Sequence, residues 1–154
     1  MPQRSPQEVA IPNPALKPFS VLIGNWKTTG THGQFPDTTL HGHASFEWLA
    51  NGAFLLLRSQ IDDPRFPGTI AIIGSDDAEA EYYMLTFDER GVSRQYEMTL
   101  IDNVWKWWRN APGFFQRYEG RIVDGGKTII GKGELSKDGV AWDKDLDLTY
   151  TRAE

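Results

Sequence analysis

Val21-Leu22-Ile23-Gly24-Asn25-Trp26 near the start of the chain and Asp147-Leu148-Thr149-Tyr150-Thr151-Arg152 near its end decide the fold between them. A glycine frees the backbone where a chain bends into a strand. A buried indole needs something over its ring face, and a late arginine supplies a cation–π lid. Trp26 and Arg152 are therefore expected to meet as the structural closure of the molecule. That meeting requires the first and last strands to lie side by side, which closes a sheet on itself.

Outward from those two segments, turn chemistry recurs at the spacing of an antiparallel all-β domain. The breaks are His32-Gly33, Asn51-Gly52, Asp62-Asp63-Pro64, Asp76 to Glu79, Asp88 to Gly91, Asp102-Asn103, Ala111-Pro112-Gly113, Asp124-Gly125-Gly126 and Lys137-Asp138-Gly139. Asn-Gly and Asp-Gly supply the positive φ of tight hairpins. These nine breaks predict about ten strands, and connections too short for parallel crossovers make them an up-and-down meander. Closing the meander into a barrel removes both sheet edges. Alternation agrees. Leu40, Ala44, Phe46 and Trp48 share one face of the second strand, and His41, His43, Ser45 and Glu47 share the other. In the last strand Val140, Trp142, Leu146, Leu148 and Tyr150 alternate with Asp143, Asp145, Asp147, Thr149 and Thr151. The aspartates are expected to form a solvated outer face, because carboxylates at alternate strand positions diverge instead of wrapping an ion.

Composition bounds the rest. A chain of 154 residues, 40% apolar and 24% charged, is one globular domain with a substantial core. Six tryptophans are a rich aromatic load for that length and point to an aromatic-lined cavity or an interface. A net charge of −5 argues against broad binding to nucleic-acid phosphates. The absence of cysteine removes disulfides, thiolate catalysis and cysteine metal sites, and is compatible with a cytoplasmic protein. Pro2, Pro6, Pro12, Pro14 and Pro18 interrupt the N-terminus, which reads as neither a secretory signal nor a membrane span. The expected organisation is a flexible proline-rich arm over residues 1–14 and a barrel domain over 15–154. Ala15 to Val21 is expected to form a short 3₁₀ or helical turn plugging the closed end.

Gly24-Asn25-Trp26 followed by a closing Arg152 resembles the calycin superfamily of lipocalin-like barrels, in which a Gly-x-Trp on the first strand packs under a late basic residue. The order of Leu22 to Trp26, Glu47-Trp48-Leu49, Gly52 to Leu55, Phe87-Asp88 with Gly91, and Phe115 to Tyr118 is more particular. With Gly125 to Ile130, Ser136 to Trp142 and Asp147 to Arg152, it resembles a bacterial lipocalin-like family related to nitrobindin-type ten-stranded barrels. The resemblance implies an all-β, antiparallel, up-and-down lipocalin-like barrel. Nitrobindin-type proteins hold haem through a histidine near the C-terminus, and no histidine follows His43 here. Haem binding is therefore not carried over.

The candidate chemistry is sparse. His41 and His43, with His32 nearby and Glu47 on the same face, have a metal-ligand spacing only if that face turns inward or lies beneath a loop. An inward-facing arginine needs a carboxylate, a polar network or an anionic ligand. Arg58, Arg94, Arg109 and Arg117 are the candidates in strand-like runs, with Arg117 and Arg58 foremost. In Trp105-Lys106-Trp107-Trp108-Arg109, alternation sends Trp105 and Trp107 to one side and Trp108 to the other, where it could serve an interface. No nucleophile elbow or phosphate loop is present. The expected function is binding of a small apolar or amphiphilic ligand inside the barrel through Arg58, Tyr96, Trp107 and Arg117. No cofactor, metal or catalytic residue is assigned. The alternatives are an isomerase or hydrolase using the same pocket, marked by an inward His43 or Glu47, and a homodimeric interaction module without ligand.

Overall fold

The computed structural model describes residues 10–78 and 81–153; the first nine residues of the expected arm lie outside that range. A 3₁₀ segment, Pro14–Leu22, precedes β1 (Gly24–His32), β2 (Phe35–Leu49), β3 (Phe54–Ile61), β4 (Thr69–Ser75) and β5 (Tyr82–Asp88). There follow β6 (Ser93–Ile101), β7 (Val104–Ala111), β8 (Phe114–Val123), β9 (Thr128–Ser136), β10 (Asp143–Lys144) and β11 (Leu146–Arg152). Each strand from β1 to β9 pairs antiparallel with the next, β9 pairs with β11, and β11 pairs with β1. The sheet is a closed antiparallel barrel of ten staves, the last being β10 and β11 split at Asp145. Every strand boundary coincides with a turn of glycine, proline, asparagine or aspartate, residues whose backbones accept tight reversal.

The 3₁₀ segment plugs one end. Asn13 caps it by accepting from the Ala15 N–H at 3.0 Å, and its fully buried Leu16, Phe19 and Leu22 point into the barrel. Tyr82 fastens the segment, donating to the Ala15 carbonyl at 2.8 Å while its ring meets Phe19 edge-on at 4.7 Å. Trp26 donates its indole N–H to the Leu22 carbonyl at 2.8 Å. Arg152, opposite Trp26 in the β1–β11 register, places its guanidinium 4.0 Å over the indole ring. The same guanidinium donates to the carbonyls of Val21, Ile23 and Gly126. Gly24 makes room for it: its φ is +127°, and a Cβ there would lie 2.5 Å from an Arg152 nitrogen.

From this seal a file of rings fills the barrel axis. Trp26 meets Tyr150 at 6.2 Å, Tyr150 meets Trp105 at 6.0 Å, and Trp105 meets Tyr118 at 5.4 Å. Tyr118 stacks on Trp107 at 5.0 Å with planes 12° apart, and Trp107 meets Tyr96 at 4.9 Å. Gly131 lets Tyr118 lie flat across the wall, since a Cβ there would fall 1.9 Å from the phenol oxygen. Burial raises the pKa of Tyr118 well above that of free tyrosine and raises that of Tyr150 as well, so both remain phenols.

Three details differ from the expected alternation, the first being that Val140, 82% exposed, and Trp142 lie in the loop before β10 and not on the inward row. Trp48, near the end of β2, is 39% exposed, so the inward pattern of Leu40, Ala44 and Phe46 stops before the strand does. Asp145 is not on the solvated outer row: it is 8% exposed and turned inward. The physical reason is the interruption between β10 and β11, which breaks the two-residue period on which the row was based.

Candidate functional site at the open end of the barrel

The end opposite the plug is ringed by the β1–β2, β3–β4, β5–β6, β7–β8 and β9–β10 turns. Across it runs one chain of side-chain hydrogen bonds whose polarity can be assigned. His32 Nδ1 accepts from the Gln34 backbone N–H at 3.0 Å, so the ring proton resides on Nε2 and is donated to Asp145 Oδ1 at 3.0 Å. Asp145 Oδ2 accepts from Gln116 Nε2 at 2.9 Å, which fixes the amide orientation. Gln116 Oε1 then accepts from the Tyr96 hydroxyl at 2.6 Å. The chain links β1, the β10–β11 junction, β8 and β6, half the circumference, and divides the aromatic interior from the mouth.

Each member follows from strand parity. Tyr96 and Arg94 share the inward face of β6, Trp107 and Arg109 that of β7, and Gln116 and Phe114 that of β8, with Arg109 directly opposite Gln116. Burial raises the Tyr96 pKa, and the nearby Arg94 and Arg109 oppose that rise. Both guanidinium groups lie against the Phe114 ring, 4.6 Å and 5.6 Å from its centroid. Across the mouth, His32, Phe35 and Phe66 form an aromatic lip with centroids 5.4 to 6.0 Å apart, and Arg65 covers Phe35 at 3.9 Å.

Of the expected ligand residues, Tyr96 and Trp107 are brought together here. Arg58 and Arg117 are not, and the expectation that they line the interior is corrected: both are exposed on the outer wall. Arg58 lies 3.5 Å from Glu47 and Arg117 2.9 Å from Glu134, with the Arg117 guanidinium also 3.7 Å over Trp142. In the run Phe54-Leu55-Leu56-Leu57-Arg58 both parities are apolar, and it is Leu55 and Leu57 that point inward. His41, His43 and Glu47 are exposed, and Trp108 is half-buried on the outer side of β7. An outer groove lined in part by Lys27, His43, Ser45, Arg58, Ile70 and Phe87 runs along β1 to β5.

His32 was noted only beside His41 and His43, Asp145 was placed on the outer row, Gln116 was given no role, and Arg94 and Arg109 were ranked below the outer pair. The signal for the two arginines was present, because each lies two residues from an inward aromatic, Tyr96 or Trp107. Nothing in the sequence marks Asp145. A direct test of the belt is Gln116→Leu, which strands the Tyr96 hydroxyl and one Asp145 oxygen. It should cost about 2–3 kcal/mol of unfolding free energy in urea titration. A loss below about 0.5 kcal/mol would show that water replaces the amide there.

The crystal structure of Rv2717c from M. tuberculosis is similar to this chain, with a TM-score of 0.68 and 13% sequence identity over 96% of this chain and 100% of that one. At that identity the likeness shows the barrel fold alone. No protein-family model matches the chain, and no curated protein matches its sequence. Among the described residues no helix is long and apolar enough to cross a membrane.

Proposed function

We propose that this calycin-type barrel binds a small amphiphilic molecule at its open end. The observation that carries the reading is the change in chemistry along the inner wall. Stacked rings occupy the interior, whereas the mouth combines a polar belt, two arginines and the half-buried rings of Phe114, Phe35 and Phe66. Such a mixture of apolar walls and a few convergent polar groups is what a small-molecule site requires. The ligand body lies on the aromatic lip, and its polar group reaches the arginines above Trp107. Binding is favoured over turnover because both nitrogens of His32 are already engaged, which leaves no lone pair for a general base.

Titration with fatty acids, flavonoids, tetrapyrroles and steroids should give at least one saturable change in tryptophan emission, reduced in Trp107→Phe. Native mass spectrometry of freshly purified protein should retain a small molecule. A panel without any saturable change, together with bare protein, overturns the reading.

A further inference from the structure

We infer that the open end selects a monoanionic head group, a carboxylate or sulfonate, through Arg109 with Arg94; the inference deepens the binding reading above and rests on it. Among the described residues, Arg58, Arg65, Arg90, Arg117 and Arg121 each have a carboxylate within 4.0 Å, and Arg152 is committed to three carbonyls. At the rim, the guanidinium groups of Arg65 and Arg90 hydrogen-bond Asp63 and Asp88 and hold those carboxyls down to about 2, so both pairs are self-neutralised. Arg94 and Arg109 are left with no carboxylate: Arg94 hydrogen-bonds the Tyr96 side chain, and both guanidinium groups lie against the Phe114 ring. Arg109 Nε is buried without a hydrogen-bond partner, a costly state for a charged donor unless something else supplies the acceptor.

Neighbouring groups do not supply it. The Asp145 oxygens accept from His32 and Gln116 and the Tyr96 oxygen bonds the Arg94 side chain, and neither group reaches Arg109 Nε. His32 accepts a backbone N–H on Nδ1 and is therefore neutral. Two guanidinium charges and one carboxylate leave the inner mouth one positive charge in excess, which a single anion balances. The planar guanidinium fork suits a carboxylate or sulfonate, and half-burial strengthens the charge-assisted bonds. The ligand enters head group first, its apolar body remaining against Phe114, Phe66 and Phe35.

A matched pair of dyes tests this. 8-Anilinonaphthalene-1-sulfonate is an anion, and N-phenyl-1-naphthylamine has the same rings without the sulfonate. The anion should bind about tenfold more tightly to the native protein. Arg109→Met should remove that preference, weakening the anion about tenfold and leaving the neutral dye within about twofold. Arg109→Lys should restore part of it, and the outer-face Arg121→Gln should change neither dye. Circular-dichroism melts confirm folding, and Arg94→Gln, with a loss of about threefold, carries the test where Arg109→Met does not fold. Equal affinity for the two dyes, or an anion preference untouched in Arg109→Met, overturns the anion assignment while the binding reading stands. If neither dye saturates, the anion assignment falls, and the binding reading is decided by the wider ligand panel and native mass spectrometry.

Discussion

Trp105→Ala is expected to lower the unfolding free energy by about 3–5 kcal/mol, the range for removing a large aromatic from a packed core. Trp105 is 1% exposed and stands at the junction of the interior, with Phe46, Tyr118 and Tyr150 at centroid distances of 5.7, 5.4 and 6.0 Å. Its removal opens a void between two β-walls whose backbones are tied into a closed ladder and cannot collapse onto it. In a domain of this size that loss lowers the melting temperature by roughly 10 °C or more. Trp105→Phe should be far milder, about 1–2 kcal/mol. The indole N–H of Trp105 is buried without a partner, so phenylalanine removes an unsatisfied donor while keeping much of the ring. Urea titration with an unchanged slope separates this core effect from a change in the unfolded state. If both variants melt with the native protein, the file of rings does not hold the barrel together.

The same residues explain what the sequence made legible. Hairpins are local, so each Asn-Gly, Asp-Gly or Pro-Gly declared its turn without reference to the rest of the chain. Barrel closure is not local, but Trp26 and Arg152 are so specific in their mutual need that their separation along the chain did not hide it. Strand parity was legible only where polar and apolar residues alternate, as at His43-Ala44-Ser45-Phe46-Glu47. Where an apolar run covers both faces, as in Phe54 to Leu57, the period vanishes and Arg58 went to the wrong side. Arg117 was misplaced for a related reason: Phe115, on its own face, is half-buried outside the wall. Asp145 was out of reach because its inward turn arises at a strand break, whose place is set by pairing with β9 and β1 rather than by its neighbours. The belt that defines the mouth therefore combines residues legible singly with one that only the assembled barrel reveals.

Arg152→Met should cost about 4 kcal/mol, since it keeps the aliphatic stem over Trp26 and removes every donor. Three carbonyls lose their partner, each at about 1 kcal/mol because the site is half-open and water recovers part of the cost. The cation over the indole contributes roughly 0.5–2 kcal/mol more. Arg152→Lys restores a charge but not a fork that reaches Val21, Ile23 and Gly126 together, so it should recover less than half of the loss. The damage should be local before it is global. Val21 and Ile23 flank the carbonyl of Leu22 that holds the Trp26 indole proton at 2.8 Å, so loosening them exposes that proton. Hydrogen exchange of the Trp26 indole should accelerate about 100-fold or more, in line with the free energy removed. Dye affinity at the far mouth should stay within about twofold, because the aromatic file separates the two ends. Unchanged melting with a still-protected indole would mean that the plug is held by Leu16, Phe19 and Leu22 alone. The terminal arginine would then be an ornament of the closed end and not its fastening.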